Sequence, residues 1–207
     1  MNDSAVGAVI DENLISLARS IDSFEGYVNP HAGRIAGLAD AVAARINLAS
    51  HDRQTLKVAA MVHDIGELVM NRDYFSADRV LTERERLDMQ RHPVIGEQEA
   101  AKRGLPRAVQ LLVRWHHEWW NGGGYPDCLS GTSIPLGARI LRVCDTYCAL
   151  TDVRPYNIPV TSREAKQFLV EWAGIEFDPG VVMTFLALSG LAELEAVNES
   201  EGGLIAS

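Results

Sequence analysis

The sequence predicts an all-α fold, and three observations support that prediction. Apolar residues recur at intervals of three and four in segment after segment, as on the buried face of a helix. No stretch shows the sustained alternation of apolar and polar residues that is typical of a strand. Glycine, proline and Thr-x-x-Glu sequences separate the periodic segments at the places where helices would begin and end. We therefore expect a single domain of about seven to nine helices, without internal repeats.

The first three helices are predicted from apolar spacing alone. Leu14, Leu17, Ala18 and Ile21 place the first helix over about 11–24, and the second runs from the region of His31 to Leu48. A third is predicted over about 52–64, with Gly66 ending it.

Later helices carry clearer boundary signals. Thr82 with Glu85 fits a capping box, in which the two residues satisfy each other's free backbone donors. Pro93 disfavours helical geometry at His92, so a break is expected there, with a new helix running to Gly104. The remaining helices are predicted from Pro106 to His116, from about Ile134 to Leu150, after the capping box of Thr161 and Glu164, and after Asp178-Pro179.

The predicted organisation is an N-terminal extension over 1–10, one domain over 11–188 and an acidic, flexible C-terminal tail over 189–207. Met1 to Val9 has neither a basic n-region nor an apolar h-region, so no signal peptide is expected. No apolar run approaches the roughly 18 residues of a membrane span. Three cysteines without C-x-x-C spacing fit reduced thiols. We therefore predict a cytoplasmic protein without a membrane partner.

Composition also limits the choice of ligand. The chain is 47% apolar and carries a formal net charge of −9, with no run of lysine or arginine. Binding of a nucleic acid polymer through a basic face is therefore not expected. A phosphorylated small molecule can still bind, provided that metal ions or arginines reverse the local charge.

Histidines and aspartates at predicted helix ends indicate a central metal site. The segment Trp115 to Pro126 reads W-H-H-E-W-W-N-G-G-G-Y-P, and adjacent imidazoles at a helix end can reach one ion from two directions. Asp145 lies inside an otherwise apolar helix, where a carboxylate requires a cation or another partner. Imidazoles combined with carboxylates suit iron, manganese, cobalt, nickel or zinc. The residues sharing these settings are His31, His63, Asp64, His92, His116, His117 and Asp145.

The motifs resemble a known family. The string A-A-M-V-H-D-I-G at Ala59 to Gly66, with His31 upstream and Asp145 downstream, resembles the HD superfamily of metal-dependent phosphohydrolases. The HD-GYP subfamily is indicated by further strings in family order, namely His92-Pro93, H-H-E with G-G-G-Y-P over 116–126, I-P-L-G-A-R-I over 134–140 and A-L-T-D-V-R-P-Y over 149–156. This resemblance implies an all-helical HD-type domain that hydrolyses cyclic di-GMP to pGpG, often onward to GMP, through a metal-bridging hydroxide.

By position, the resemblance also implies residue roles. One ion would be held by His31, His63, Asp64 and Asp145, and the second by Asp64, His92, His116 and His117. His63 and Asp64 would thus be catalytic, and the ions are expected to be iron or manganese. Tyr27 occupies the position of a glutamate that binds a third ion in some members, so two ions are expected. The predicted substrate-binding residues are Arg154, Tyr125, Gly124 and Glu67, with Trp119 and Trp120 either stacking on guanine or packing in the loop. The alternative for Arg154 is a surface salt bridge, and the alternative for Tyr125 is a role in shaping the loop.

The sequence departs from the family pattern at four positions. Glu67 replaces a lysine expected beside the substrate phosphate, and it either weakens binding, points away or carries a proton. Asn121 and Cys148 each replace an aspartate, and Asn157 takes a position that is often basic. Three functions therefore stay open: a cyclic di-GMP phosphodiesterase, a signalling module of low activity that binds GGDEF-type proteins through its G-Y-P loop, and a phosphohydrolase of another cyclic nucleotide.

Overall fold

A computed structural model describes residues 10–76, 79–154 and 158–188. In these residues the regular structure besides α-helices is limited to two 3₁₀ turns and isolated β-bridge positions, including the bridge between Ala173 and Phe177. The predicted all-α class is confirmed. Ten α-helices are present in this part of the chain: α1 Glu12–Glu25, α2 His31–Arg45, α3 Ser50–Val62, α4 Ile65–Met70, α5 Glu83–Met89, α6 His92–Lys102, α7 Arg107–Trp115, α8 Leu136–Thr151, α9 Ser162–Glu171 and α10 Pro179–Leu186.

Local capping determines where several of these helices begin. The side chain of Asp11 accepts a hydrogen bond from the backbone N–H of Leu14 at the start of α1. Both predicted capping boxes are present, before α5 and before α9. Asp178 accepts from two backbone N–H groups of α10. The sequence signals therefore place these boundaries correctly, because these caps depend on residues two or three positions apart.

The helix that the prediction missed is α4. Gly66 was expected to end the third helix, but α3 ends at Val62 and Gly66 lies inside α4. A Cβ atom at this position would lie 2.0 Å from the carbonyl oxygen of His92 and 2.9 Å from the backbone nitrogen of Gly96. The glycine is therefore needed for the close approach of α4 to α6, and not for termination.

The central layer of the domain is formed by α2, α3, α7 and α8, which pack on one another around a continuous apolar core. Helices α4 and α6 pack together at one end of this layer, and α9 and α10 cover α8. This arrangement brings the start of α2, the end of α3, the start of α6 and the end of α7 to the same region. The break near His92 falls at Gln90 and Arg91, so that His92 itself begins α6.

Some predicted features lie outside the described residues. These are almost all of the 1–10 extension, the whole 189–207 tail, and Asn157 with the end of the A-L-T-D-V-R-P-Y string. Within the part of the chain that the structure does describe, none of the helices has the length and apolar character required to cross a membrane.

Candidate metal centre

The fold brings all seven predicted ligand side chains to one place. Two of them begin α2 and α6, two form the turn between α3 and α4, two follow the last residue of α7, and one lies within α8. In that order they are His31, His92, His63, Asp64, His116, His117 and Asp145. All are buried except His117, which is half-buried. Because six of the seven ligands lie at or next to a helix end, several helices can contribute side chains to one small volume.

Three of the histidine rings are oriented by the helix turn that precedes them. The Nδ1 atoms of His63, His92 and His116 lie 3.0, 2.8 and 2.6 Å from backbone carbonyl oxygens three residues earlier. A carbonyl only accepts, so Nδ1 carries a proton, and in the neutral ring the free lone pair is on Nε2. The Nε2 atoms point inward, as they would for a metal ligand.

His31 is oriented by a carboxylate that the sequence did not single out. Its Nδ1 lies 2.7 Å from Oδ2 of Asp152, one residue beyond α8. Asp152 is buried and is also paired with Arg34, which in turn donates to Thr151. The only signal in the sequence was the position of Asp152 in the A-L-T-D-V-R-P-Y string, which does not indicate that His31 is its partner.

Asp64 lies between the two groups of predicted ligands. Its Oδ2 is 2.9 Å from Nε2 of His63, while its Oδ1 is 3.2 Å from Nε2 of His92 and 3.3 Å from Nε2 of His116. Burial raises the pKa of Asp64, but the three histidines outweigh burial and hold that pKa well below its usual range. Asp64 is therefore an anion whose two oxygens face different histidines, as a bridging ligand requires.

The arrangement fits two divalent ions. Ligand atoms of Asp64, His92, His116 and His117 lie within 4.8 Å of one another, and so do those of His31, His63 and Asp145. Three of the inward-facing atoms, His31 Nε2, His63 Nε2 and Asp64 Oδ1, are buried without a hydrogen-bond partner. Buried polar atoms of this kind are costly unless they are satisfied. Coordination of an ion by these lone pairs would remove that cost.

A cavity of about 640 Å³ opens beside these ligands. Its wall includes Asp64, His92, His117 and Asp145, so a molecule in the cavity would contact both ligand groups. Of the predicted substrate-binding residues, Arg154, Tyr125 and Glu67 line it. The other charged side chains of the wall are Glu25, Arg79, Arg142 and Glu176, none of which the sequence had indicated.

Glu67 faces the cavity and does not point away from it. Its Oε1 lies 3.8 Å from Nδ1 of His92, and together with Glu25 and Asp64 it forms a third group of close ligand atoms. Burial raises the pKa values of Glu25 and Glu67 well above their usual range, and the charge of Asp64 raises them further. Of the three possibilities for Glu67, the one in which it points away is wrong, because α4 packs against α6 and directs this side chain inward.

Arg154 and Tyr27 form one side of the cavity. The Arg154 guanidinium lies 4.6 Å from the centre of the Tyr27 ring, and Tyr27 stacks on His31 with centroids 3.7 Å apart. Nε of Arg154 is buried without a hydrogen-bond partner. Tyr27 therefore supports both a predicted ligand and a predicted phosphate-binding residue.

The loop after α7 is built around Tyr125 and Gly124. The Tyr125 ring stacks on His117 with centroids 4.8 Å apart. Gly124 packs on the backbone of 117–119, where a Cβ atom would lie 2.4 Å from the carbonyl oxygen of His117, and it is not among the residues that line the cavity. The carboxylate of Glu118 accepts from the backbone N–H groups of Asp127 and Leu129 and holds the rest of the loop.

Four other residues considered from the sequence lie apart from the cavity wall. Trp119 packs edge-on against Trp172, and Trp120 lies beneath Arg139, which favours the packing role of the two tryptophans. Asn121 accepts from the N–H of Gly123 within the turn. Cys148 is buried, and burial raises the pKa of its thiol well above the usual range. Neither Asn121 nor Cys148 lines the cavity.

The fold and the ligand geometry together define a helical metal-binding domain with a cavity at its metal centre. The family model described as "HD domain" matches residues 16–181. The chain belongs to the HD domain family, and the resemblance to the HD-GYP branch is confirmed by its relatives.

Two curated relatives and one solved structure illustrate the similarity. The chain is 35% identical over 189 residues to the cyclic di-GMP phosphodiesterase response regulator RpfG of Xanthomonas campestris pv. campestris, covering 90% of this chain and 49% of that protein. It is 28% identical to the 3'3'-cGAMP-specific phosphodiesterase 2 of Vibrio cholerae, covering 84% of this chain and 34% of that protein. The chain thus spans about half or less of the length of these relatives.

The crystal structure of a cyclic GMP-AMP-specific phosphodiesterase of V. cholerae, V-cGAP3, superimposes with a TM-score of 0.71 at 20% identity. The superposition covers 89% of this chain and 50% of that one. At this level of identity the likeness establishes the fold.

Proposed function

We propose that the chain is a metal-dependent phosphodiesterase that hydrolyses cyclic di-GMP to pGpG, with GMP as a further product. The observation that carries this proposal is the convergence of seven His and Asp side chains beside a 640 Å³ cavity, with buried inward-facing atoms that lack hydrogen-bond partners. The X. campestris relative is named a cyclic di-GMP phosphodiesterase, which supports the choice of substrate.

The proposed ligands are His31, His63, Asp64 and Asp145 for one ion, and Asp64, His92, His116 and His117 for the other. Two divalent ions, iron or manganese being the expected ones, would supply an activated water and neutralise charge that develops on the phosphate. The protein holds four of the rings through hydrogen bonds at Nδ1 and keeps Asp64 ionised between the two groups. Arg154 is proposed to bind a phosphate, and Tyr125 to face a base. The predicted domain over 11–188 and the cytoplasmic location stay predictions.

The direct test is hydrolysis of cyclic di-GMP by protein that was purified anaerobically and loaded with Fe²⁺ or Mn²⁺. We expect turnover in the wild type and none in the His63→Ala/Asp64→Ala variant, whose metal content should fall as well. Wild-type protein that contains two ions per chain but does not hydrolyse cyclic di-GMP would disprove the proposed substrate.

A second candidate function, hydrolysis of a different cyclic dinucleotide, is favoured by Glu67. A carboxyl group at the cavity wall changes the contacts available to a phosphate, and the V. cholerae relative is named for 3'3'-cGAMP. Parallel assays with cyclic di-GMP, 3'3'-cGAMP and cyclic di-AMP separate the two functions, because each predicts a different preferred substrate.

The third candidate is a signalling module that binds a GGDEF-type protein through the loop over 121–128. Exposed residues at the tip of this loop, Asn121, Gly123, Asp127 and Cys128, are available for such a contact. This candidate predicts metal binding without hydrolysis of any of the three dinucleotides, together with binding to a purified GGDEF protein that is lost when 121–123 are replaced.

A further inference from the structure

Arg142 links the two groups of predicted metal ligands. It lies in α8 one turn before Asp145, and its Nη1 is 2.9 Å from Nδ1 of His117 and 3.4 Å from Oδ2 of Asp145. His117 belongs to one ligand group and Asp145 to the other. The guanidinium also lines the cavity. Arg142 is therefore a fixed positive charge at the point where both groups meet the cavity.

Glu176 holds Arg142 in this position. Its Oε1 accepts from Nη2 of Arg142 at 2.5 Å, and the residue is 6% exposed. The backbone of Glu176 is fixed too, because its carbonyl oxygen accepts from the N–H of Trp120. A half-buried guanidinium is stabilised by a carboxylate partner, and this pair keeps the charge beside the predicted ligands.

The hydrogen bond from Arg142 to His117 is incompatible with metal binding by His117. A guanidinium only donates, so Nδ1 of His117 must offer a lone pair to it. Because Nδ1 accepts this hydrogen bond, the ring proton is on Nε2, and the ring has a single lone pair on its nitrogens. If Nδ1 binds an ion, that lone pair is used; if Nε2 binds an ion, Nδ1 must carry the proton. In either case Arg142 loses this acceptor when the metal centre is filled.

We propose that Arg142 binds a phosphate oxygen of the substrate at the metal centre. This inference rests on the proposed function, and it adds a specific anion-binding residue to it. Glu176 occupies Nη2, the Nη1 atom loses His117 as an acceptor, and Nε is buried without a hydrogen-bond partner. The oxygens of a phosphate can accept hydrogen bonds from the guanidinium N–H groups that have no other acceptor.

The charges of the cavity wall support this assignment. Five carboxyl groups line the cavity, from Glu25, Asp64, Glu67, Asp145 and Glu176, against three arginines, Arg79, Arg142 and Arg154. Of these arginines, only Arg142 contacts predicted metal ligands among the described residues. It is therefore the protein cation best placed to attract a phosphate to the reacting end of the cavity.

Arg139 provides a matched control. It lies one turn earlier in α8, its side chain is 15% exposed like that of Arg142, and its Nη1 donates to Asp178 at 2.5 Å. Arg139 does not line the cavity. Replacing Arg139 or Arg142 by methionine therefore removes a paired arginine from the same helix, but only Arg142→Met removes a cation from the cavity.

The experiment measures inorganic phosphate binding to metal-loaded protein by titration calorimetry, together with metal content and thermal midpoint. We expect Arg142→Met to weaken phosphate binding by about tenfold or more at unchanged metal content, because a hydrogen bond between charged groups is lost. Arg139→Met should keep the phosphate affinity of the wild type within about twofold. Arg142→Lys keeps a cation and the pairing with Glu176, so its phosphate affinity should fall less than that of the methionine variant.

The proposal is overturned if metal-loaded Arg142→Met and Arg142→Lys bind phosphate as tightly as the wild type. It is also overturned if the metal content falls while phosphate affinity per loaded chain is unchanged, since Arg142 would then only position ligands. If Arg142→Met does not fold, Arg142→Lys decides the question: weaker phosphate binding than in the wild type supports the proposal, and wild-type affinity overturns it. The phosphate readout does not require turnover, so absence of cyclic di-GMP hydrolysis would disprove the proposed substrate and leave this result interpretable.

Discussion

His31 and Asp152 form a buried pair in which Nδ1 of the ring lies 2.7 Å from a carboxylate oxygen, although 121 positions separate the two residues. The opposite ring nitrogen, Nε2, lies 3.7 Å from Oδ1 of Asp145. Asp152 thus fixes the ring orientation and the proton position of a predicted metal ligand. Carboxylates in this position commonly raise the metal affinity of the histidine that they contact.

We predict that Asp152→Asn weakens metal binding by roughly 10- to 100-fold, because an amide in place of the carboxylate stabilises the bound imidazole less. Competition with a metal indicator would measure the affinity of each ion. Asp40→Asn is the control, since Asp40 also pairs with an arginine, Arg53, but lies away from the cavity. Equal metal affinities in the wild type and Asp152→Asn would contradict the assigned role.

Gly66→Ala should disrupt the centre from a position that is not a ligand. The added Cβ would overlap the carbonyl oxygen of His92 and push α4 from α6. We expect a loss of about 1–3 kcal/mol in the free energy of unfolding and weaker metal binding, measured by denaturant titration and metal content. Gly37→Ala is the matched control, because Gly37 lies in α2 with no atom within 4 Å of the added Cβ. That variant should gain about 0.5–1 kcal/mol.

Glu67 should make the metal-free protein less stable as the pH rises. Burial raises its pKa well above 4.5 in the folded state, so its contribution to stability is complete below the unfolded pKa and is lost as the pH rises towards the folded one. Glutamine does not ionise, so Glu67→Gln lacks this fall in the free energy of unfolding with rising pH. We expect the free energy of unfolding of the wild type, measured in the presence of a chelator, to fall relative to the variant from about pH 4.5 upward. Parallel curves between pH 4 and 8 would argue against a buried, raised pKa.

Glu67→Lys should strengthen substrate binding. The side chain faces the cavity beside His92. A cation at this position would attract the phosphates of a dinucleotide, whereas a carboxyl group does not. We expect KM for the preferred cyclic dinucleotide to fall several-fold, on the order of one charge-assisted hydrogen bond, with unchanged metal content. Lys102→Glu, an exposed change of opposite sign outside the cavity, controls for net charge. An unchanged or higher KM in Glu67→Lys would show that Glu67 does not limit phosphate binding.

Local signals in the sequence predicted the described helices other than α4 and indicated the candidate ligands. Apolar spacing and capping residues act over three or four positions, so the all-α class and both capping boxes could be predicted. Histidines at helix ends and an aspartate inside an apolar helix stood out for the same reason, since their residue types do not suit packing alone.

Only the tertiary structure decided which side chains support that site. Asp152 reaches His31 across 121 positions and Glu176 reaches Arg142 across 34, while Glu25 and Glu67 meet because α1 packs near α4. Gly66 was misinterpreted because its role depends on α6, which no local pattern specifies. The sequence by itself therefore determined the described helices other than α4 and the chemistry of the ligands. The packing of distant helices determined their orientation, their charge partners and the shape of the cavity, because those depend on contacts between residues far apart in the chain.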